Sequence, residues 1–556
     1  MKNKLLLKNS LCYLIILLLT GFFLVINFNY ERYQRFKTNF KENAKRQFNI
    51  LRYGDKGYID KIITQQYDEY TEKNSQHKKV IETASLPINL NFIQLNKYHK
   101  FASGGGSFVL FGDNVLVADR LGAFFKVNLS NLKKIDKLNL PSIPNNLDSF
   151  ILRSSVGKNL SDIHMRVTSI AYDKKRASLY VGYTQYVSDT CNKFTIASLK
   201  VNLDSNYEGN WTNIYESQCV TINHASHEGG GKLLIAKDKL YFSVGYPDSI
   251  GFQDEEGQDH IHNTQDKSTS FGKIFEYDLE SNFLKMLTLG HRNQQGLAFL
   301  NDVLYEVEHG PQGGDEINII KEGFNYGWPN ITNGTKYGMY DYKVDFKDEP
   351  NQKYKDPLYA FVPSVGVSSI LGIKDFNDRW NGNLLIGSLK SQSLYRIKLN
   401  RQGFVEFVEP IWLGHRIRDV NQLHKKIILL TDDSNLILVS ANEELLKKNF
   451  KNVTFKFQDR ERKIEKCLKC HSFEQSNQSS LAPSLKNVIN RKFASDNFYN
   501  HYSAAIKKSS GVWRKKTLIK FIQKPQEVIQ GTTMPNLDLS SEEAEEIVDI
   551  IIKYNQ

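Results

Sequence analysis

The residues whose chemistry is clearest are Cys467, Cys470 and His471, which read C-L-K-C-H. Two thiols three residues apart add to the two vinyl groups of one haem, and the adjacent imidazole then reaches the iron. Cys467 and Cys470 are therefore the expected thioether attachments of a haem c, with His471 as proximal ligand. A low-spin electron carrier takes a second strong ligand, commonly methionine, which raises the potential. Met534, in GTTMPN and one of only five methionines, is that candidate. Pro483, in LAPSL, stands where its carbonyl orients the His471 ring. A zinc half-site and a redox dithiol are the other readings of C-x-x-C, but zinc would want a second ligand pair and none follows nearby.

A second group of chemically capable residues lies far upstream. Arg416 and Arg418, in HRIRDV, are two apart, so on a strand both face one side. A surface salt-bridge ladder is the alternative reading of the pair. Lys390 stands in GSLK, Arg292 and Asn293 in GHRNQQGLAF, and Gly310-Pro311 in EHGPQGGDEINIIKEGFNYGWP, where the pair alone reads as a turn. The segment NHASHEGGGKLLI offers His227, and also His224, as a neutral imidazole able to take a proton near neutral pH.

The elements that must position these groups are short strands. From about residue 90 to 445, apolar stretches alternate with Gly, Asn and Asp, as in FVLFGDNVLVADR and GLAFLNDVLYEVEHG. Apolar strand, Asn/Asp turn and second strand is the pattern a hairpin requires. A long series of hairpins implies a propeller or a sandwich, and periodicity alone does not separate them. After residue 455 the texture turns helical. Ser540 and Glu543 fit a capping box, and Ala544, Ile547, Ile551 and Tyr554 recur at helical spacing.

The ends and the bulk numbers add context. The chain has 556 residues, 12% aromatic, with 35 glycines, which suits many strands and tight turns. Its net charge of +12 implies anionic partners without choosing among them. Residues 11–28 form an apolar run of bilayer length behind Lys2, Lys4 and Lys8, so an anchor with a cytoplasmic N-terminus is expected; a cleaved signal is the alternative. Residues 30–85 read as a polar, partly helical stalk. Of the five cysteines, Cys12 lies in the apolar run, and Cys191 and Cys219 fit either a disulfide in an oxidising compartment or two buried thiols.

Three of these segments, GHRNQQGLAF, EHGPQGGDEINIIKEGFNYGWP and the pair GSLK with HRIRDV, resemble the soluble PQQ-dependent glucose and aldose sugar dehydrogenases. The C-terminal segment resembles a class I cytochrome c in its order of motifs. The resemblance implies a mainly β chain: a six-bladed β-propeller with an N-terminal membrane anchor and a C-terminal all-α cytochrome c domain. The expected division is 1–10 cytoplasmic, 11–29 anchor, 30–88 stalk, 89–445 propeller and 455–556 cytochrome c. By the same resemblance Lys390, Arg416, Arg418 and Asn293 bind PQQ, a tricarboxylate whose burial requires fixed cations. Arg292 faces the reacting quinone oxygen, where a cation stabilises developing negative charge. The carbonyls of Gly310 and Pro311 hold a calcium acting as Lewis acid, and Glu316 with the Tyr326 carbonyl holds a second, structural calcium. His227 becomes the base, with His224 open because the spacing to the following apolar strand is about one residue longer than in the family.

Two departures from the family pattern bear on substrate. Gly245 is followed by Tyr246 where the family often has Asp, with Asp248 two places on. His164, in HMRVTSIAY, stands where Gln or Glu is usual. The expectation is a periplasmic, inner-membrane-anchored dehydrogenase of an aldose sugar or related alcohol, carrying PQQ, calcium and covalent haem c. It would pass electrons to a downstream cytochrome or terminal oxidase, with no nucleic acid among its partners. A propeller that only binds a ligand or partner, and a haem sensor, are the rival readings.

Overall fold

The structure, a computed structural model, describes residues 44–67, 78–132, 134–154, 165–202, 206–220, 229–246, 264–335, 353–446, 463–468, 470–473, 482–496, 499 and 502–555. His164, His224, His227, Asp248, Cys12 and the apolar run at 11–28, all singled out in the sequence, lie outside them. Among the described residues no helix is long and apolar enough to cross a membrane.

Among the described residues, twenty-five strands form six antiparallel sheets. The innermost strands of blades one to six are Ser107–Phe111, Val167–Asp173, Gly230–Ala236, Asn293–Leu300, Val367–Gly372 and Ile417–Leu423. Each packs against the next, and blade six returns to blade one, so the ring is closed. Closure comes from the start of the domain. Ile88–Gln94 pairs with Asn435–Ala441, from Ile88↔Ala441 to Gln94↔Asn435, and Lys78–Ile81 adds a fifth strand outside it. Blade six therefore begins at Lys78, ahead of the boundary at 89 that composition indicates.

Each gap between blades is filled by its own apolar cluster, which is why the strands read as continuous hydrophobic runs. In Lys426–Thr431, Ile427 and Leu429 pack toward blade five while Ile428 and Leu430 pack toward blade one. The hairpins follow the turn chemistry of the sequence. Asn301 and Asp302 both take positive φ, 48° and 63°, as a two-residue turn between right-twisted strands demands.

Strand polarity positions the site. All six innermost strands start at one face, and the second strand of each blade ends there. That face therefore collects Arg292 and Asn293, Arg416 and Arg418, and the turns holding Asp119, His309, Lys390 and Asp432.

Two further parts flank the ring. A helix over residues 44–64 buries Tyr58 and Ile62 against Phe150 and Ile151 of the helix Leu147–Arg153, against Met165, and against Tyr186 of blade two. Beyond it Gln66 accepts a hydrogen bond from Arg120 Nη2 at 2.9 Å. The C-terminal part is helical, as its sequence indicates. Lys515–Gln523 packs on Ser541–Tyr554, whose capping box is complete: the Ser540 hydroxyl accepts from the Glu543 amide, and the Glu543 carboxylate accepts from the Ser540 amide. Ala544, Ile547 and Ile551 are buried in its core. Cys191 and Cys219 form a disulfide.

Candidate active site and haem-attachment site

Arg418 and Arg416 both reach Asp432. Arg418 donates from Nε and Nη2 to the two carboxylate oxygens at 2.7 and 2.9 Å, and Arg416 donates from Nε at 2.8 Å. The i, i+2 spacing thus does place both guanidiniums on one side. They differ in exposure: the Arg418 side chain is 14% exposed and that of Arg416 49%. Arg418 lines a small cavity at the propeller axis, whereas Arg416 lies at its rim beside the Leu389 carbonyl, and the adjacent Lys390 is exposed.

The axial cavity holds further charge that sequence reading missed. Arg166, Lys232 and Asp419 line it together with Arg418. Lys232 donates to Asp419 at 2.6 Å, and the Ser107 hydroxyl donates to the other Asp419 oxygen, also at 2.6 Å. Lys232 stands in the GGGK that opens blade three, and Asp419 follows Arg418 at a register shift in blade six, where neighbouring residues line one cavity. A charged residue at the start of an otherwise apolar strand was the available signal.

Arg292 is nearly buried and fully engaged. Its backbone amide donates to Glu308 Oε2 at 2.6 Å, its Nη1 donates to the Gly310 carbonyl at 2.9 Å, and its guanidinium lies over the Trp328 ring at 5.3 Å. Asn293 accepts from the Gly230 amide at 3.2 Å and from Gln295 at 2.6 Å. Its Nδ2 lies 3.3 Å from His309 Nδ1, and His309 Nε2 lies 2.6 Å from the Val367 carbonyl. Burial pushes the His309 pKa down, so the neutral ring donates from Nε2 and accepts at Nδ1. Asn293 thereby joins blades three, four and five.

The loop expected to hold calcium folds tightly around Gly310. A Cβ there would come within 2.3 and 2.4 Å of the Gly314 and Gly313 carbonyl oxygens. Asp315 then ties the loop to blade five by accepting the amides of Val365, Gly366 and Val367 at 3.0, 2.6 and 3.2 Å. Converging carbonyls suit a hard cation. The Gly310 oxygen already faces a positive charge, that of Arg292.

The second cation expectation falls on a buried carboxylate cluster. Ligand atoms of His291, Glu306 and Glu308 lie within 4.8 Å of one another. Burial raises Glu306 well above the ordinary carboxylate range, with Glu308 adding to it, and burial pushes Glu316 up to about 8. Glu306 Oε1, Asn318 Oδ1 and Gln294 Oε1 are buried with no hydrogen-bond partner among the described residues. Tyr326 stacks on His291 at 4.5 Å, which brings its residue to the same cluster. Crowded carboxylates and orphaned amide oxygens fit a calcium-sized hard ion. Glu306 and Glu308 were legible as E-V-E, two acids on one strand face, but were not singled out.

In the C-terminal domain His471 Nδ1 donates to the Pro483 carbonyl at 2.7 Å, leaving Nε2 for a metal. The amides of Cys470 and His471 both donate to the Cys467 carbonyl, at 3.1 and 2.9 Å, which turns the C-x-x-C-H segment onto one side. Met534 packs at the edge of the helical core that also contains Cys467. The arrangement fits a thioether-bound haem.

A cavity of about 1760 Å³ lies away from the axial site. It lies at the opposite face, between Asp113, Asp375 and Lys425 of the ring and Lys466, Cys470 and Pro535 of the C-terminal domain. None of the axial charges lines it.

Residues 115–439 match the family described as Glucose / Sorbosone dehydrogenase. The chain is 30% identical over 234 residues to Aldose sugar dehydrogenase YliI of Escherichia coli, covering 39% of this chain and 60% of that one. It is 31% identical over 193 residues to Quinoprotein glucose dehydrogenase B of Acinetobacter calcoaceticus, covering 30% and 38%. It is 37% identical over 89 residues to Cytochrome c homolog of Rickettsia typhi, covering 16% and 49%. The chain thus spans less than two thirds of the length of these relatives. A crystal structure of glucose dehydrogenase superposes with a TM-score of 0.51 at 21% identity, covering 63% of this chain and 98% of that one, a likeness of fold.

Proposed function

This chain belongs to the glucose/sorbosone dehydrogenase family, and from that premise we propose that it oxidises an aldose sugar or related alcohol with PQQ and calcium and passes the electrons to a haem c in its own C-terminal domain. The observation that carries this reading is the gathering of Arg418, Arg416, Arg292 and Asn293 at one face of a closed ring, around an axial cavity richer in cations than in carboxylates. A buried excess of cations is costly unless an anion of several charges completes it. A tricarboxylate does so.

Bound PQQ would supply a quinone that accepts two electrons, and bound haem c a one-electron carrier. The residues of this chain do the rest. Arg418 and Arg416, held by Asp432, offer bidentate donors to carboxylates. Asn293, fixed from three sides, orients a polar edge. Arg292 holds a positive charge in a nearly dry position where negative charge develops. His227 takes the substrate's hydroxyl proton. Gly310 and Pro311 would present carbonyls to calcium, and Glu316 and the Tyr326 carbonyl to a second ion.

The reading extends to a periplasmic location behind a single-pass anchor at 11–29, and to a downstream cytochrome or terminal oxidase as acceptor. The apolar run and the Cys191–Cys219 disulfide, which persists in oxidising compartments, support it. The test is to add PQQ and calcium to the purified haem protein and follow haem absorbance with a panel of aldoses and alcohols. Reduction of the haem by one of them is expected. No reduction with no PQQ retained would leave a ligand-binding propeller instead.

A further inference from the structure

The chain ahead of the ring reaches the wall of the axial cavity. Tyr58 and Ile62 seat the helix over residues 44–64 against Tyr186, near the end of the second strand of blade two, the end that lies at the mouth. A few residues on, the chain is pinned again, where Tyr67 bridges Ala102. The Ala102 amide donates to Asp119 at 3.1 Å and its carbonyl accepts the Arg120 amide at 3.2 Å. Between these two fixed points Gln66 presents its side-chain oxygen to Arg120 Nη2 at 2.9 Å.

Arg120 is where this segment meets the cavity. It is 3% exposed. Its Nε donates to the Ser103 carbonyl at 2.8 Å, and its stem lies against Gly105, where an added Cβ would stand 3.0 Å from Cγ. The Arg120 carbonyl accepts the Val167 amide at 2.8 Å. Gly105 and Gly106, just ahead of the first strand of blade one, and Val167 of blade two all line the axial cavity. One residue therefore braces walls from two blades, and the far end of its side chain is held from outside the propeller. Its charge is felt inside as well. Burial first, then Arg418, lower the Arg166 pKa to about 10 against the pull of Asp432, and Arg120 adds to the lowering. Holding Nε and Nη2 on separate acceptors fixes the plane of a guanidinium. With Nη2 released, the fork turns about its Nε contact and carries the stem across Gly105, which has no side chain to oppose it.

We propose that Gln66 is a positioning residue for the cofactor: by fixing the plane of Arg120 it sets the walls of the axial cavity, and with them the affinity of the mouth for an anionic cofactor. This rests on the dehydrogenase reading above. It makes the segment at 44–67 a working part of the site.

The test uses the purified full chain, first without PQQ. Gln66→Leu should speed amide hydrogen exchange in peptides covering 101–108 and 165–172 and leave those of blades four and five at wild-type rates, because only the walls braced by Arg120 are released. Gln66→Glu, which keeps an acceptor for Nη2, should restore the protection. Exchange that is unchanged in the Leu variant, or raised in every blade alike, overturns the proposal. Titration with PQQ followed by fluorescence gives the second reading. Gln66→Leu should weaken PQQ on the order of 10-fold, the lower end of the range for a hydrogen bond to a charged group. An unchanged affinity assigns Gln66 to holding the helix alone and refutes the proposal. Should wild type itself retain no PQQ, the dehydrogenase reading fails by itself, and the exchange comparison still decides whether Gln66 sets the cavity walls.

Discussion

Arg292 Nη1 donates to the Gly310 carbonyl oxygen at 2.9 Å, so the charge assigned to the reacting group is fixed by the same backbone oxygen assigned to calcium. The two functions are mechanically joined. Arg292→Gln should lower kcat on the order of 10²- to 10³-fold, the effect of removing one preorganised donor to a developing negative charge. It should also shift the calcium concentration needed for activity. His227→Ala should lower kcat without moving the calcium requirement. Steady-state kinetics across a calcium titration distinguish the two.

The shared carboxylate Asp432 makes unequal partners of Arg416 and Arg418. Arg418 is the more buried and lines the axial cavity. Arg418→Gln should weaken PQQ on the order of 10- to 100-fold, as loss of a desolvated charged contact does. Arg416→Gln, half exposed, should cost about threefold or less because water screens it. Fluorescence titration with PQQ measures both.

The cluster of Glu306, Glu308 and Glu316 should make the propeller's stability depend on calcium. Chelation is expected to lower Tm, and added calcium to raise it with a dependence on free calcium that reports ion binding to the folded state. Glu316→Gln should reduce that dependence while raising Tm in chelator, since one of three crowded acids is gone. Differential scanning calorimetry reads both directions.

Met534 ligation predicts a specific spectroscopic loss. Met534→His should keep the haem low-spin but lower its midpoint potential, because histidine donates more strongly than the thioether. Met534→Ala should give a high-spin or water-ligated haem. An unchanged potential in both variants would assign Met534 to the core alone.

Asp119 gives the ring a pH dependence. It is buried in the turn after the second strand of blade one and accepts the amides of Ala102, Leu121 and Ala123 at 3.1, 3.0 and 2.8 Å. Burial nonetheless dominates and pushes its pKa from 3.8 up to about 6. The folded protein then holds this proton more tightly than the unfolded chain. Its contribution is present below about pH 4 and is lost as pH rises through 6. Urea unfolding should show this fall, and Asp119→Asn should flatten it.

How far the sequence reveals these features depends on whether the signal is local. The capping box of Ser540 and Glu543, the Asn301-Asp302 turn and the His471–Pro483 contact are legible because each lies within a short segment of chain. The same-side placement of Arg416 and Arg418 agrees with their i, i+2 spacing, although the strand begins at Ile417 and its register shifts at Arg418, so the shared partner Asp432 holds the pair together. Asp432, Lys232 and Arg166 were not legible, since what gives them meaning is convergence of blades two, three and six on an axis. The Lys78–Ile81 strand was hidden because its polar K-K-V-I lies at an outer edge, where water rather than apolar packing covers one side. Periodicity left sandwich and propeller equal, and only the pairing of Ile88–Gln94 with Asn435–Ala441 closes the ring.

That closing pair also sets where the haem is leashed. Asn435–Ala441 runs from the axial mouth to the far face, so the polypeptide leaves the ring on the side opposite Arg292. The haem thiols hang from that side, a ring's thickness of roughly 20–25 Å from the mouth for strands of this length. On the proposed reading, fusion supplies one carrier per ring, and the thickness of that ring stands between the cations at the mouth and the thiols that would bind its haem.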